Sequence, residues 1–216
     1  MKKQTLLLFS AVAMIVGFVV GVMLYQGQRA ENLGFMAQEN ASVLAPAHAP
    51  SMGADDAKVF IVEFYDPACE TCAQFYVPVH DLVDAYPGKI KLIHRYAPFH
   101  DGSDVMVKIL EASRKQGKYW ETLEVMFASQ QYWASHHEPH PERIWTFLPQ
   151  AGVDIDKLKA DMADPALDAV LKGELADAST LGVRMTPEFF VNGKPLPSFG
   201  LPQLKALVEA EIALQY

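Results

Sequence analysis

The sequence contains no cluster of lysine and arginine after its first three residues. Its 26 acidic residues outnumber its 18 basic ones, for a net charge of −8. This balance disfavours a nucleic-acid partner, whose phosphates attract basic surfaces. Low-complexity blocks are absent too, and 50% of the residues are hydrophobic, which is typical of a globular chain. We therefore expect one folded core of ordinary domain size.

Cysteine is also scarce, since Cys69 and Cys72 are the only two. They follow the apolar run Val59–Tyr65, where we expect a buried strand to lead into a helix. A helix N-terminus stabilises a thiolate through its unpaired N–H groups and the positive end of its dipole. A Cys-x-x-Cys pair in this setting indicates thioredoxin-like redox chemistry. A structural disulfide or half of a metal site are the alternatives, although so short a loop restricts the unfolded chain little.

The longest apolar run lies near the N-terminus, where Lys2 and Lys3 precede residues 6–24. Its length is close to the ~20 residues that cross a bilayer as a helix, and exceeds the apolar region of a cleavable signal. Residues 25–29 offer no good cleavage site, so we predict an uncleaved signal-anchor over residues 1–25, with a cleaved signal peptide as the alternative. The lysines predict a single-pass inner-membrane protein with its C-terminal domain in the oxidising periplasm.

The remainder divides into a predicted linker and a predicted domain. Residues 26–56 are rich in Ala, Pro, Gln, Asn and Ser and predict a tether, in which Asn32–Leu44 is the candidate arm for dimerisation. Residues 57–216 begin as strand–helix–strand, continue as helices over about 100–181, and end as strand–hairpin–helix. We predict an α/β fold with one central sheet and a helical insertion, since the helical stretch is too long for a loop.

Two local patterns predict details of this domain. In Lys89–Tyr96, Ile90 and Leu92 alternate with lysines, which predicts a strand with one exposed face. Pro78 lies inside the helix expected to follow the cysteines, and we expect it to kink that helix.

Two segments resemble those of a known family. Residues 63–72, EFYDPACETC, resemble the active-site segment of thioredoxin-fold proteins, and residues 181–193, LGVRMTPEFFVNG, resemble their proline loop. From about Ala57 onwards the chain is similar to the DsbA-like family of extracytoplasmic thiol–disulfide oxidoreductases. The resemblance implies a thioredoxin-like fold and disulfide exchange with cysteine-containing protein substrates, without a metal or organic cofactor. It also implies a membrane redox partner that resets the cysteine pair.

The resemblance further implies roles for the residues of the motif. Cys69 would be an exposed nucleophile with a lowered pKa, and Cys72 a more buried thiol that resolves the mixed disulfide. Glu70 and Thr71 would tune the reduction potential. Because an anionic neighbour destabilises a thiolate, Glu70 predicts a less oxidising couple than that of family members with Pro-His at these two positions.

Three further residues are assigned in the same way. Pro187 would follow a cis peptide bond and face the cysteines, leaving the backbone of Thr186 to pair with an extended substrate. Thr186 differs from the valine of the oxidase branch and matches several isomerase- and reductase-like relatives. Glu63 is the candidate proton acceptor for Cys72, since burying an acid among apolar neighbours is costly. The alternative for Glu63 is an acid that reaches solvent at the end of the sheet.

Three alternative functions remain open. The first is a reductase or isomerase of the same fold. The second is a protein that handles copper with its thiolates and one of His94, His100 and His137. The third is an interaction module with a fixed disulfide. We expect surface positions for His94 and His100. The histidines at positions 136, 137 and 140 match no standard closed metal site, so a solvated loop is expected there.

Overall fold

The computed structural model describes residues 2–135 and 138–216. Its α-helices are α1 (Lys2–Glu39), α2 (Ala41–Leu44), α3 (Glu70–Ala85), α4 (Ser103–Arg114), α5 (Tyr119–Ala128), α6 (Gln130–Trp133), α7 (Ile155–Met162), α8 (Ala166–Thr180) and α9 (Leu201–Gln215). Two 3-10 helices cover Pro141–Thr146 and Leu148–Ala151. The strands are β1 (Ser51–Gly53), β2 (Val59–Tyr65), β3 (Ile90–Tyr96), β4 (Ala134–Ser135), β5 (Glu138–Pro139), β6 (Glu188–Val191) and β7 (Lys194–Pro195).

Five strands form the central sheet in the order β1-β3-β2-β6-β7. β2 runs parallel to β3 and antiparallel to β6, with Phe64 opposite Glu188 and Ile61 opposite Val191. Helices α3 and α9 pack on one face of the sheet, whereas α1 and the end of α8 pack on the other. This is the predicted thioredoxin-like α/β fold.

β3 differs from its predicted half-exposed pattern. Its last five residues are all buried, because helices cover both faces of the sheet at this strand. An all-buried parallel strand loses the alternation of polar and apolar residues that an exposed face would impose. Lys89 and Lys91 therefore indicate only where the strand begins.

Helices α4 to α8 lie between β3 and β6 and build a second core cluster. Trp133, Met106 and Leu123 are among its fully buried members. Both cysteines belong to this cluster. The helical part therefore contributes directly to the walls around the Cys-x-x-Cys motif.

The interval expected to be a linker is ordered. α1 continues without a break to Glu39, α2 follows, and β1 joins the sheet by pairing with β3. Leu33, Ala37 and Leu44 are buried in the same cluster as Phe64. The segment was predicted to be a tether because it is rich in Ala, Pro, Gln, Asn and Ser without sustained periodicity. Its few apolar side chains nevertheless lie at helical spacing and pack the segment against the domain.

Within the described residues, α1 is the one helix that is long and apolar enough to cross a membrane, and its most apolar stretch of 18 residues has a mean hydropathy of 2.7. Its large apolar side chains from Leu7 to Leu24 are exposed. Burial begins only at its C-terminal third, where Leu33 and Ala37 contact the domain. The exposed apolar segment of α1, residues 7–24, which we call the apolar rod, and the part of α1 that packs on the domain thus form one continuous helix.

Candidate active site

The two cysteines lie where β2 leads into α3. Cys69 is the N-cap of α3, and its sulfur accepts a hydrogen bond from the backbone N–H of Cys72 at 3.4 Å. Both cysteines are free thiols. Cys69 was expected to be exposed, but only 6% of it is accessible. The proline loop covers it, because the carbonyl oxygen of Thr186 lies 3.4 Å from its sulfur and accepts a hydrogen bond.

The two thiols have opposite acidities. The hydrogen bond from the Cys72 side chain is the main cause that lowers the pKa of Cys69 to about 6; burial opposes it, and Thr186 and the backbone N–H groups of Cys72 and Thr71 add smaller contributions that lower the pKa. Burial raises the pKa of Cys72 well above its usual value, and the Cys69 and Glu63 charges add to this effect. At neutral pH the site therefore holds a thiolate at Cys69 and a protonated thiol at Cys72.

The proline loop has the predicted geometry. The Thr186–Pro187 peptide bond is cis, and β6 begins directly after it. Thr186 places its carbonyl on the Cys69 sulfur. Met185, the residue before, is half exposed. The loop thus brings the backbone carbonyl of Thr186 to the Cys69 sulfur, and the partly exposed Met185 precedes it in the chain.

Beneath the cysteines lies a buried polar group. Glu63 is 3% exposed and His94 2%, and the carboxylate lies 3.4 Å from Nε2 of His94. Nδ1 of His94 is 3.3 Å from the hydroxyl of Tyr119, which shares a 2.8 Å hydrogen bond with the hydroxyl of Tyr65. Glu63 does not reach solvent at the sheet end, so that alternative is wrong.

The surface position expected for His94 is also wrong. It lies on the face of β3 that the insertion covers, with the Trp120 ring centroid 4.8 Å from its own. His80 of α3 lies nearby, and its Nε2 atom is buried without a hydrogen-bond partner among the described residues. Burial, helped by His94, lowers the pKa of His80 to about 4, so it is neutral at physiological pH.

Two positioning residues escaped sequence reasoning. The buried carboxylate of Asp66 accepts hydrogen bonds from Ser103 Oγ at 2.5 Å and from the backbone N–H groups of Ala68 and Phe99. Asp66 precedes Pro67, which is a turn signature and the one signal that could have identified it.

Gln130 of α6 is the second of these residues. Its amide donates to the carbonyl oxygens of Pro67 at 2.9 Å and Cys69 at 3.1 Å. This contact joins residues about 60 apart in the chain, so no local sequence pattern predicts it. His100, expected at the surface, is partly exposed, and its Nδ1 atom lies 2.7 Å from the carboxylate of Asp66.

Glu70 and Thr71 occupy the first turn of α3 and are partly exposed. Glu70 lines an open cavity of about 380 Å³ together with Gln74 and Gln130. The cavity runs from the redox motif to the helical insertion. Glu70 is therefore next to Cys69 in the chain and open to water.

Within residues 2–135 and 138–216, no three His, Cys, Asp or Glu side chains are grouped to hold a metal ion. His94 is engaged with Glu63 and His100 with Asp66. His136 and His137 lie outside the described residues, so the solvated loop remains a prediction there. His140 lies 3.5 Å from Glu142 and is exposed.

Comparisons with known proteins agree with this geometry. A family model described as Thioredoxin matches residues 47–210. A thioredoxin-like oxidoreductase from Silicibacter pomeroyi DSS-3 is 30% identical with a TM-score of 0.67, covering 79% of this chain and 96% of that one. The thiol-disulfide exchange protein alpha-DsbA2 from Wolbachia pipientis is 20% identical with a TM-score of 0.70, covering 85% and 97%. The chain belongs to the thioredoxin family, and its fold is DsbA-like.

The curated relatives are longer proteins, which this chain matches only in part. The Na(+)/H(+) antiporter NhaA of Herminiimonas arsenicoxydans is 26% identical over 204 residues, which are 92% of this chain but 32% of that protein. NhaA 3 of Salinispora tropica is 26% identical over 66% of this chain and 21% of its own length. The chain thus spans a third or less of these relatives. The first match extends into α1, since the residues after Glu39 are too few to account for it.

Proposed function

We propose that the chain is a membrane-anchored thiol–disulfide oxidoreductase, which exchanges disulfides with cysteine-containing proteins through Cys69 and Cys72 in the periplasm. The observation that carries this proposal is the placement of the two sulfurs, with Cys69 at the N-cap of α3 against the cis-proline loop and Cys72 fully buried one helical turn later. A thiolate is the attacking species in disulfide exchange, whereas a neighbouring protonated thiol does not react until the mixed disulfide has formed.

In the reducing direction, the Cys69 thiolate bonds to one sulfur of a substrate disulfide, and the other substrate sulfur leaves as a thiolate. Cys72 then gives up its proton, attacks the Cys69 sulfur and releases the second substrate thiolate. The protein is left with a Cys69–Cys72 disulfide. The oxidising direction is the reverse of these two steps. After each turnover, a membrane redox partner would return the Cys69–Cys72 pair to its starting oxidation state, by reducing the disulfide in the first case and by oxidising the two thiols in the second.

Glu63 is our candidate for the base that receives the Cys72 proton. It is buried, and its charge contributes to the raised pKa of Cys72. His94 would position Glu63 through its Nε2 atom, which lies 3.4 Å from the carboxylate, and Tyr119 would orient the His94 ring through its contact with Nδ1. Gln130 and Asp66 would fix the loop that presents Cys69.

The physiological direction is the finer part of the proposal. The Cys69 pKa of about 6 lies closer to the thioredoxin value of roughly 7 than to the DsbA value of roughly 3.5. Together with Thr186 and Glu70, this supports a couple less oxidising than the extreme of the family. A reductase or isomerase is therefore the second candidate function.

The deciding experiment is the reduction potential of the Cys69–Cys72 pair in the full chain, equilibrated with glutathione buffers. A value near about −120 mV would indicate a disulfide donor, and one near about −250 mV or lower a reductase. A pair without a reversible couple would reject the oxidoreductase proposal and favour a fixed structural disulfide.

A further inference from the structure

The direction in which α1 leaves the domain is set by two contacts. Arg29 forms an ion pair with Glu188, the first residue of β6. Gly34, five residues later, lies against the ring of Pro195, which is paired with Phe190 in the sheet. Toward its C-terminus, α1 therefore runs from the beginning of β6 towards its end.

The same register relates α1 to the end of the sheet at which β2 leads to Cys69, which we call the catalytic edge. Glu188 is opposite Phe64, near the end of β2 from which the chain leads to Cys69. Going back along α1 from Gly34 to Arg29 thus leads towards this catalytic edge. The apolar part of α1, which precedes Arg29, projects beyond that edge.

A cleft beside the proline loop confirms this course. The cleft has a volume of about 320 Å³ and is lined by Val22 and Tyr25 of α1 and by Met185 and Phe199 of the domain. Val22 lies in the last apolar turns of α1, and Met185 immediately precedes Thr186, whose carbonyl contacts Cys69. The end of the apolar rod and the redox site are therefore neighbours.

The packing of α1 leaves little freedom for the domain to turn. A Cβ atom added at Gly182 would stand 2.7 Å from the sulfur of Met36, so the helix and the loop are in close contact. Leu33 and Ala37 are buried, and Glu188 is shielded enough for burial to raise its pKa in spite of Arg29. This is a rigid attachment rather than a flexible tether.

We propose that α1 holds the catalytic edge facing the bilayer, so that the cleft beside Met185 receives a cysteine-bearing loop of an integral-membrane protein. This inference rests on the proposed function in taking α1 as a membrane span. The occupant follows from the position of the cleft, because Val22 forms part of its wall. A chain emerging from the bilayer reaches this site directly, whereas a bulky soluble protein would meet the membrane first.

The half-exposed side chains of Met185 and Phe199 suit this occupant, because they offer apolar surface at the level of the membrane. A fixed height and orientation also raise the effective concentration of Cys69 for a thiol confined to the same surface. Attachment through α1 therefore selects partners by location as well as by sequence.

The orientation can be measured without any thiol chemistry. The full chain carrying Cys69→Ser and Cys72→Ser is reconstituted in phosphatidylcholine vesicles with a donor fluorophore on Met185→Cys or on Pro87→Cys. Pro87 is exposed and precedes β3, at the opposite edge of the sheet. With acceptor dyes on lipid headgroups, we expect stronger energy transfer from position 185. Equal transfer, or stronger transfer from position 87, would overturn the proposal.

The chemical consequence is tested with two probes of one reactivity, a soluble pyridyl disulfide and the same group on phosphatidylethanolamine headgroups. In both cases the Cys69 thiolate bonds to the probe sulfur, and pyridine-2-thiolate leaves with the bonding electrons and is detected by its absorbance. The ratio of the lipid-borne rate to the soluble rate reports how Cys69 is presented to the membrane.

A flexible Gly-Ser insertion between Gly27 and Gln28 should lower this ratio by about tenfold, because it removes the fixed orientation. The same insertion after Pro87 is the matched control and should leave the ratio unchanged. An unchanged ratio in the first variant would overturn the proposal. Failure of the soluble probe with every variant would instead reject the proposed function, and the energy-transfer result would still decide the orientation.

Discussion

The rim and the floor of the redox site are built in different ways. At the rim, Cys69 is held by backbone groups, namely the N–H of Cys72 and the carbonyl of Thr186. At the floor, Cys72 lies above the buried side chains of Glu63 and His94. At the rim, hydrogen bonds from Cys72 stabilise a charge on the Cys69 sulfur, whereas at the floor burial and the charge of Glu63 keep the second sulfur protonated. We infer that the hydrogen bonds to Cys69 set the first step of exchange and that the buried side chains set the second.

Exchanging the roles of the two sulfurs is the strongest test of this comparison. Cys69→Ser should reduce disulfide exchange to the background level, because the thiolate is the nucleophile. Cys72→Ser should keep the first step and accumulate the mixed disulfide, because resolution requires the second sulfur. Single-turnover reactions with a disulfide peptide, followed by mass spectrometry, distinguish the two. Equal loss in both variants, with no trapped species, would contradict the division of labour.

The pH dependence of Cys69 alkylation tests the rim alone. The rate should rise with a midpoint near pH 6, compared with about pH 8.5 for an unperturbed thiol. Iodoacetamide labelling of the reduced protein between pH 4 and 10, with the Cys69 and Cys72 adducts distinguished by mass spectrometry, gives this midpoint and keeps the Cys72 side chain whose hydrogen bond lowers the pKa most. A midpoint above about pH 8 would mean that the hydrogen bonds to Cys69 do not stabilise the thiolate.

Stability should follow the same titration with a defined sign. The pKa of Cys69 is lower in the folded reduced protein than in the unfolded chain, so the thiolate stabilises the folded state above the unfolded pKa. This stabilisation is lost as the pH falls from about 8.5 through about 6. Urea unfolding of the reduced protein, compared with Cys69→Ser over this range, measures the loss.

Glu63→Gln should affect the second step of exchange, which depends on the buried side chains of the floor. Without a proton acceptor, resolution of the mixed disulfide should slow by about 100-fold, in the range typical of general acid–base catalysis. The alkylation midpoint of Cys69 should stay near pH 6, because the hydrogen bonds at the rim remain. Stopped-flow measurement of the two steps separates these effects.

His94→Gln is the companion variant, since it preserves a polar group beside Glu63 and should slow resolution less than Glu63→Gln does. If the substitution of Glu63 slowed the first step instead, Glu63 would be acting on the rim, and the comparison would fail.

The same division explains what could be predicted from the sequence. The rim depends on short segments, Cys69–Cys72 and Thr186–Pro187, and these were recognisable because each pattern is local. The floor depends on contacts between distant residues. Glu63 could be singled out as a misplaced acid, but its partner His94 was expected at the surface, because the helices that cover β3 come later in the chain.

Gln130 marks a second limit of the same kind. Its amide reaches Pro67 and Cys69 from a four-residue helix, and a glutamine in such a helix carries no sign of this role. The attachment of α1 was missed for another reason. Composition described its segment correctly as polar and alanine-rich, but the few apolar side chains determined its packing.

Gln130→Ala tests whether the insertion supports the rim. It removes the donor to the carbonyl oxygen of Pro67, while that of Cys69 keeps the N–H of Ala73, so the free energy of unfolding should fall by about 1–3 kcal/mol. Gln131→Ala is the matched control, because Gln131 is exposed and should change stability by less than about 0.5 kcal/mol. Urea denaturation of the reduced proteins compares the two. Equal effects would show that Gln130 does not anchor the loop.

Glu70→Gln should give the smallest effect and sharpen the comparison most. Glu70 is partly exposed in the first turn of α3, whereas the charge of Glu63 is buried. At about 5 Å through water, one unit charge contributes roughly 0.8 kcal/mol, so the substitution should lower the Cys69 pKa by about half a unit. Because salt screens exposed charges, the shift should shrink in 1 M NaCl. Alkylation midpoints of both proteins at low and high salt measure it. A shift above one unit that resists salt would mean that Glu70 acts as a second buried carboxylate, and that the rim, like the floor, is tuned by side chains.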